Sequence, residues 1–491
     1  MDSFVYGKKL WYYKLIVNSE IELLLGGNIM NQEEKFSKTK KVVIGIIDIV
    51  LLHLSMLLSF YLKFGNLVPD RNYETYKNSF IFIVITFIIL NILFGIYILY
   101  NKSLTDFLYI TIIVQVILTL AIMVVTFAGR WFAFPRSVLL INLVVSIVVL
   151  FVWRVIVFKV YEKMSGSKKV MVVGFEEDVK SAVYNFENSK SKRHVVTFAV
   201  ISNYFENVKA SLDKVDIVYL ASRIDEKEKM EIYELLMESD KKLFLNTSFE
   251  NLVLVNPNIM NIEDESIIEV SQFKIPSEDG AIKRIVDILF SLLLIVITSP
   301  FMLITAILVK LTSKGPVFYK QIRITQDGEE FPIFKFRTMS VTAEKDTGPV
   351  LATSNDARIT PLGKYLRALR IDELPQLFNV LKGDMSVVGP RPERPFFVDQ
   401  FKKENPYYYL RHNVRAGITG YAQVYGKYAT DFNSKLNFDL LYIKKYSLLL
   451  DIKIMLQTIK ILFDKVSSKG LEEENEIGTN YVIPDNVKII K

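Results

Sequence analysis

Cysteine is absent from the 491-residue chain, which excludes disulfides, thiolate metal centres and cysteine nucleophiles. Histidine is scarce, limited to His53, His194 and His412, and this argues against a histidine-rich zinc centre. Charge of one sign is also lacking: 60 Lys and Arg against 53 Asp and Glu leave a net +7. With 21 Gly and 15 Pro, the composition excludes collagen-like and disordered classes. Apolar side chains are plentiful: hydrophobic residues make up 51%, with 34 Phe and 25 Tyr, and mean hydropathy is +0.27. The modest positive balance would suit nucleic acid, anionic lipid or phosphorylated substrates. Hydropathy decides for a membrane protein, and no nucleic-acid partner is expected.

Four apolar runs are long enough for a ~30 Å hydrocarbon core, which takes about 20 residues: Val42–Leu62, Phe80–Tyr100, Leu108–Gly129 and Val138–Phe158. Asp48 lies in the first, close enough to Lys40 and Lys41 to pair at the interface, and Arg154 lies near the end of the fourth, where it can snorkel to headgroups. Lysines precede the first run (Lys35, Lys38, Lys40, Lys41) and follow the fourth (Lys159, Lys163, Lys168, Lys169). With four crossings both flanks share one side, and the positive-inside rule makes it cytoplasmic. The expectation is a multi-pass protein of the inner (cytoplasmic) membrane. Residues 1–29 read as an extension ahead of a natural start at Met30, or as a short interfacial segment carrying Trp11, Tyr12 and Tyr13.

Residues 30–166 are thus a four-helix transmembrane region, and 167–276 a small doubly wound α/β domain. In the latter, KKVMVVGF reads as a buried parallel strand and EEDVKSAVYNF as a helix, and the alternation continues through VVTFAVIS, VDIVYLAS and KEKMEIYELLM. Only Gly174 stands where a dinucleotide fingerprint needs several glycines. Phe175, Glu176 and Glu177 would obstruct and repel a pyrophosphate, so a structural or regulatory module is expected there. If it builds a homo-oligomer, Ile217–Leu220 is the candidate contact.

A fifth apolar run, within 283–311, opens with Lys283, Arg284 and Asp287 and is interrupted at Ser299-Pro300. Proline removes a helical hydrogen bond and kinks the helix. Cations at both ends (Lys283 and Arg284, then Lys310, Lys314 and Lys320) favour a helix–break–helix that dips in and returns over a fifth crossing. The domain it opens, 277–466, is expected to be mainly α-helical, and 467–491 an exposed tail.

The chemistry-bearing residues crowd into YKQIRITQDGEEFPIFKFRTM, SNDARITPLGKYLRALRIDELPQLFNVLKGDMSVVGPRPERP and RAGITGYAQVYGK. Asp372 and Glu373 stand just ahead of Leu374-Pro375, and proline suits a first helical turn. Carboxylates there can attack phosphorus, hold a divalent metal, or merely cap the helix. Arg367, Arg370 and Arg391 bracket the pair, and Lys335 and Arg337 form a second cluster. Arginine grips phosphate oxygens bidentately. Arg370 and Arg337 suit solvated or headgroup-facing roles equally well. Leu362, Leu366 and Leu369 recur at helical spacing, either on the membrane surface or against a core. Arg411, His412 and Arg415 in YYYLRHNVRAG also suit an interface.

On these motifs, from Lys283 to about Phe463, the chain resembles the monotopic polyprenyl-phosphate sugar-1-phosphate transferases (phosphoglycosyltransferases) of bacterial glycan assembly, in their long form. The resemblance implies transfer of a sugar-1-phosphate, here a hexose-1-phosphate, from a UDP-sugar to polyprenyl (undecaprenyl) phosphate with release of UMP. That reaction opens capsular, exo- or O-antigen polysaccharide assembly at the membrane. It implies Asp372 as nucleophile, Glu373 as Mg²⁺ ligand, Arg367 and Arg391 in the site, and Lys335 as a further active-site lysine. Two departures stand out: Ile322 and Ile324 flank Arg323 where glycine often follows the arginine, and Ala416 precedes Gly417 where proline is common. Two other classes compete: an inactive or regulatory membrane scaffold, and a nucleotide-sugar oxidoreductase or epimerase using the α/β domain. The intact Asp-Glu pair opposes the first and the missing glycines the second.

Overall fold

The computed structural model describes residues 34–99, 102–129, 134–189, 193–340, 358–426, 431–461 and 481–490. The 1–29 extension and residues 467–480 of the expected tail lie outside them. Two compact units make up the chain: Met1–Lys169 with Asn185–Val195, and Val170–Tyr184 with Val196–Lys491.

The first unit holds four helices, α1 (Glu34–Phe64), α2 (Asp70–Leu93), α3 (Leu104–Ala128) and α4 (Arg136–Ser165). Each contains a stretch long and apolar enough to cross a membrane. The second starts ten residues before the expected Phe80 and ends at Leu93, where the amides of Phe94 and Ile96 turn back onto the carbonyls of Leu90 and Asn91. Asp48 does not pair with Lys40 or Lys41, nor does Arg154 snorkel. They meet each other at 2.6 Å, with side-chain exposures of 0% and 2%. Either charge alone would be costly among apolar helices, and the pair ties α1 to α4. Two further polar links join the helices: Ser146 Oγ donates to Gln115 Oε1, and His53 Nδ1 meets the Tyr76 hydroxyl.

The second unit begins with an α/β sheet. Its strands are β1 (Lys168–Val173), β2 (His194–Val200), β3 (Ile217–Leu220) and β4 (Lys242–Leu245), wound by α5 (Glu176–Glu187), α6 (Tyr204–Ser211) and α7 (Glu226–Met237). β3 pairs in parallel with β1 and β4. It is therefore an interior strand, and Ile217–Leu220 is largely buried in the sheet rather than exposed for contact with a second copy. At the end of β1 the Phe175 amide donates to Ser222 Oγ at 2.7 Å, and Ser222 donates to Asp178 Oδ2 at 2.6 Å. A Cβ on Gly174 would stand 2.4 Å from Ser222 Oγ. The one fingerprint glycine thus admits a neighbouring serine where a dinucleotide fold would admit pyrophosphate.

Next come α8 (Phe249–Val253), the exposed hairpin β5 (Asn258–Ile262) and β6 (Glu265–Glu269), and α9 (Ser277–Thr312). They lead to the antiparallel pair β7 (Phe318–Ile324) and β8 (Glu330–Phe336), then α10 (Pro361–Ala368), α11 (Gln376–Lys382), β9 (Met385–Val388) and α12 (Pro395–Glu404). β10 (Ala416–Thr419), parallel to β9, is followed by α13 (Tyr421–Tyr425), α14 (Phe432–Lys444) and α15 (Leu448–Ile461). One core unites Val380, Met385, Val388, Leu440 and Tyr442 with Leu252 and Phe273. Phe249 stacks on Tyr407 with ring centroids 3.7 Å apart, and Lys444 Nζ donates to the carbonyls of Val253 and Ser271. Residues on both sides of the expected 276/277 boundary share this core. The expected exposed tail is corrected: β11 (Lys488–Ile490) pairs in parallel with β2, giving the order β11-β2-β1-β3-β4.

α9 runs unbroken through Pro300, where an interruption was expected. Proline leaves the Val296 carbonyl without its backbone donor, and Ser299 Oγ donates to that carbonyl at 2.9 Å. Its polar opening faces protein rather than headgroups. Lys283 pairs with Asp451, Arg284 donates to the carbonyls of Val380 and Leu381, and Asp287 accepts from the Val387 amide.

Candidate active site

Arg284 supplies donors to the last carbonyls of α11, the groups a helix end leaves unpaired. The other end of α11 carries the acidic pair. Thr360 caps α10 through the Gly363 amide, and α10 brings Arg367 forward with Leu366 packed inward and Tyr365 and Leu369 exposed. The chain then reverses at Arg370, which adopts a left-handed backbone (φ 53°). A short 3₁₀ turn, Ile371–Glu373, leads through Pro375 into α11. This reversal turns the two adjacent carboxylates into different surroundings.

Glu373 is the hub. Its Oε1 lies 3.1 Å from both Lys335 Nζ and Arg391 Nη2, and its Oε2 3.6 Å from Arg370 Nη1. Burial alone would raise its pKa, but Lys335, Arg391 and Arg370 outweigh this and hold it well below the usual carboxylate range. Asp372 makes no hydrogen bond or ion pair among the described residues and is largely buried. Burial and the Glu373 charge push its pKa up to about 6, against the opposing pull of Lys335, Arg367 and Arg391. One carboxylate thus organises cations while its neighbour stays open at neutral pH, an arrangement suited to attack on an electrophilic phosphorus.

Lys335, on β8, and Arg391, in the turn after β9, are brought to the dyad as expected from the sequence. Arg337 is not: it is buried, and its Nη2 donates to the carbonyl and hydroxyl of Ser313 beyond α9. Arg370, left open between the site and a solvated or headgroup-facing role, lies at Glu373. Its adjacency to the dyad was the available signal. Arg411 and His412 are buried rather than interfacial. Burial, reinforced by the Arg411 and Lys402 charges, lowers His412 to about 3 and keeps it neutral. Ala416 in place of proline has a use, because its amide donates to Thr325 Oγ1 at 3.2 Å.

No cluster of three or more His, Cys, Asp or Glu able to hold a metal occurs among the described residues. Mg²⁺ needs only one or two carboxylates beside substrate phosphates and water. Glu373, expected as the Mg²⁺ ligand, already has Lys335, Arg391 and Arg370 at its oxygens, whereas Asp372 has no ion-pair partner among the described residues.

Comparison with known proteins places residues 278–465 in a match to the bacterial sugar transferase family. The chain is 50% identical over 184 residues to the UDP-N-acetylgalactosamine-undecaprenyl-phosphate N-acetylgalactosaminephosphotransferase of Aeromonas hydrophila, covering 37% of this chain and 43% of that one. It is 46% identical over 182 residues to the UDP-glucose:undecaprenyl-phosphate glucose-1-phosphate transferase of Klebsiella pneumoniae, covering 36% and 39%. The chain thus spans about two fifths of the length of these two relatives. Against the uncharacterized sugar transferase EpsL of Bacillus subtilis (strain 168) it is 38% identical over 196 residues, 40% of this chain and 93% of that one. With nearly the whole of that relative matched, and with the dyad and its cations inside the matched region, the chain belongs to the bacterial sugar transferase family.

Proposed function

We propose that this chain transfers a hexose-1-phosphate from a UDP-sugar to polyprenyl (undecaprenyl) phosphate, releasing UMP, as the first membrane step of a capsular, exo- or O-antigen polysaccharide. The observation that carries the reading is the open carboxylate of Asp372 beside a cation cluster already assembled on Glu373. An Asp372 oxygen attacks the sugar-bearing phosphorus, the bond to the UMP oxygen breaks, and an acyl phosphate forms. A lipid phosphate oxygen then attacks the same phosphorus and restores the carboxylate. Each polyanion meets the cations in turn, so two phosphate groups need not crowd one site. Arg391, Lys335 and Arg367 offset the charge that builds on the transferring phosphoryl group. Mg²⁺, if bound beside Asp372, would add to that neutralisation.

The proposed setting is the cytoplasmic face of the inner membrane, where UDP-sugars are available. Re-entry of α9, as a bend within one continuous helix rather than as a helix–break–helix, is the reading its bonds support. Near its start Arg284 reaches α11, beyond its end Arg337 of the β8 edge holds Ser313, and Asn379 of α11 bonds the Phe334 amide of β8. A straight helix would hold positions 284 and 313 roughly 45 Å apart at ~1.5 Å per residue, while α11 and β8 touch. The names of the relatives divide between glucose and N-acetylgalactosamine, so the deciding experiment is a panel. Washed membranes are given UDP-glucose, UDP-galactose or UDP-N-acetylgalactosamine with polyprenyl phosphate. Lipid-dependent UMP release and a sugar-phosphate mass on Asp372 are expected with one of them. Turnover that persists in Asp372→Asn would refute the covalent route.

A further inference from the structure

Arg411 does not reach the dyad, yet it is among the most thoroughly bound side chains of the domain. Its Nε donates to Asp439 Oδ2 at 2.9 Å, its Nη1 to the Tyr408 hydroxyl at 2.7 Å, and its Nη2 to the main-chain carbonyl of Arg391 at 2.9 Å. The Arg411 and Asp439 side chains are only 5% and 3% exposed. A buried ion pair seldom stabilises a fold more than apolar side chains of the same volume would, so packing alone gives little reason for this one.

Its third bond falls on the residue whose guanidinium meets Glu373. The neighbouring carbonyls are held too: Pro392 accepts from Arg323 Nη1 at 3.0 Å, and Pro390 from the Gly417 amide at 2.9 Å. Gly389, where a Cβ would stand 2.3 Å from the Arg415 carbonyl, lets the two chains approach. Three consecutive carbonyls, Pro390 to Pro392, are thereby fixed from behind the site. The Arg391 side chain is 43% exposed and long, and its guanidinium donates to Glu373 at 3.1 Å. The fixed part of its aim is its backbone.

We propose that Arg411, charged and oriented by Asp439 and Tyr408, is a positioning residue for Arg391, holding the turn from which that guanidinium reaches the phosphates of the sugar nucleotide. What Arg391 grips rests on the function proposed above; that Arg411 holds the turn does not.

The test uses the full chain in lipid, with Arg391→Ala, Arg411→Lys, Tyr408→Phe and the double variant Arg391→Ala/Arg411→Lys. Donor KM and kcat are measured with the UDP-sugar turned over best, UMP serves as a binding probe, and hydrogen exchange is followed in the segments around 388–394 and 416–419. Loss of a buried charged hydrogen bond predicts a donor KM raised roughly ten-fold in Arg411→Lys. A smaller rise is expected in Tyr408→Phe, with kcat changing less than KM and exchange in the turn accelerated in both. In the Arg391→Ala background, Arg411→Lys should add nothing. A fall in kcat at unchanged KM, full additivity in the double variant, or unaltered exchange would overturn the proposal. Should Arg411→Lys not fold, Tyr408→Phe decides alone on the same readouts. If Arg391→Ala leaves KM and UMP binding untouched, the phosphate role of Arg391 fails by itself, and exchange in the turn still decides whether Arg411 holds it.

Discussion

Asp372 and Glu373 share a peptide bond and little else. Glu373 lies among three cations, whereas Asp372 carries its charge at a pKa raised to about 6 by burial and by Glu373. If Asp372 attacks as its carboxylate, as proposed, the rate of the UMP burst should fall about ten-fold per pH unit below ~6 and level off above it. The stability consequence has the opposite sense. The unfolded-state value is 3.8, so between about pH 4 and 6 the folded protein holds more proton at this site, and its contribution to stability declines as pH rises through that window. Asp372→Asn removes a poorly solvated charge while keeping its shape. It should abolish turnover yet raise the melting temperature, and a lowered one would contradict this account of the site. Glu373→Gln should weaken UMP binding by releasing Lys335, Arg370 and Arg391. The Mg²⁺ concentration for half-maximal residual activity should stay where it is, whereas a ligand role would shift it.

Among the elements, α11 is braced at both ends, by the dyad turn at its start and by Arg284 at its last carbonyls. Arg284→Ala should cost about 1.5–3 kcal/mol in unfolding experiments and lower kcat as well, since α11 sets the direction of the dyad. The acidic pair was legible because chemistry crowded into a short run reveals itself without a fold, and the family resemblance singled out Arg391 and Lys335. The exchange of roles between Arg337 and Arg370 was not. Two residues apart on one strand, Lys335 and Arg337 would share a face, but β8 ends at Phe336 and Arg337 turns to Ser313. Arg370 depends on a left-handed backbone, for which arginine gives no sequence signal. The pairing of Asp48 with Arg154 likewise needs two helices already packed, and local charge counting found only the nearer lysines.

At the scale of the molecule, span lengths were readable because hydrocarbon thickness sets them. The α/β alternation was readable because its period changes. The family match begins at residue 278, beside the expected division at 276/277, but the packing of Leu252 and Phe273 into the core beyond it was not readable, since both are ordinary apolar residues in a stretch of soluble composition. A chain starting at Ser277 should therefore unfold at lower temperature than one starting near Asn246. Each large buried side chain removed costs about 2–5 kcal/mol, and equal melting temperatures for the two would show that α8 is dispensable. Three residues of β11 carry no periodicity at all, so only the register with Phe198, Ala199 and Val200 reveals them as a strand.

That last strand has a consequence for how the protein is made. β2 leaves the ribosome long before β11, with every catalytic element synthesised between them. Throughout that interval β2 offers an open row of amides and carbonyls to anything that can add a strand. β2 gains its outer neighbour only on a chain translated through Ile490, so a product that stops short leaves β2 as the unpaired edge. Chaperones and proteases that read exposed strands would then discriminate between chains with and without that strand.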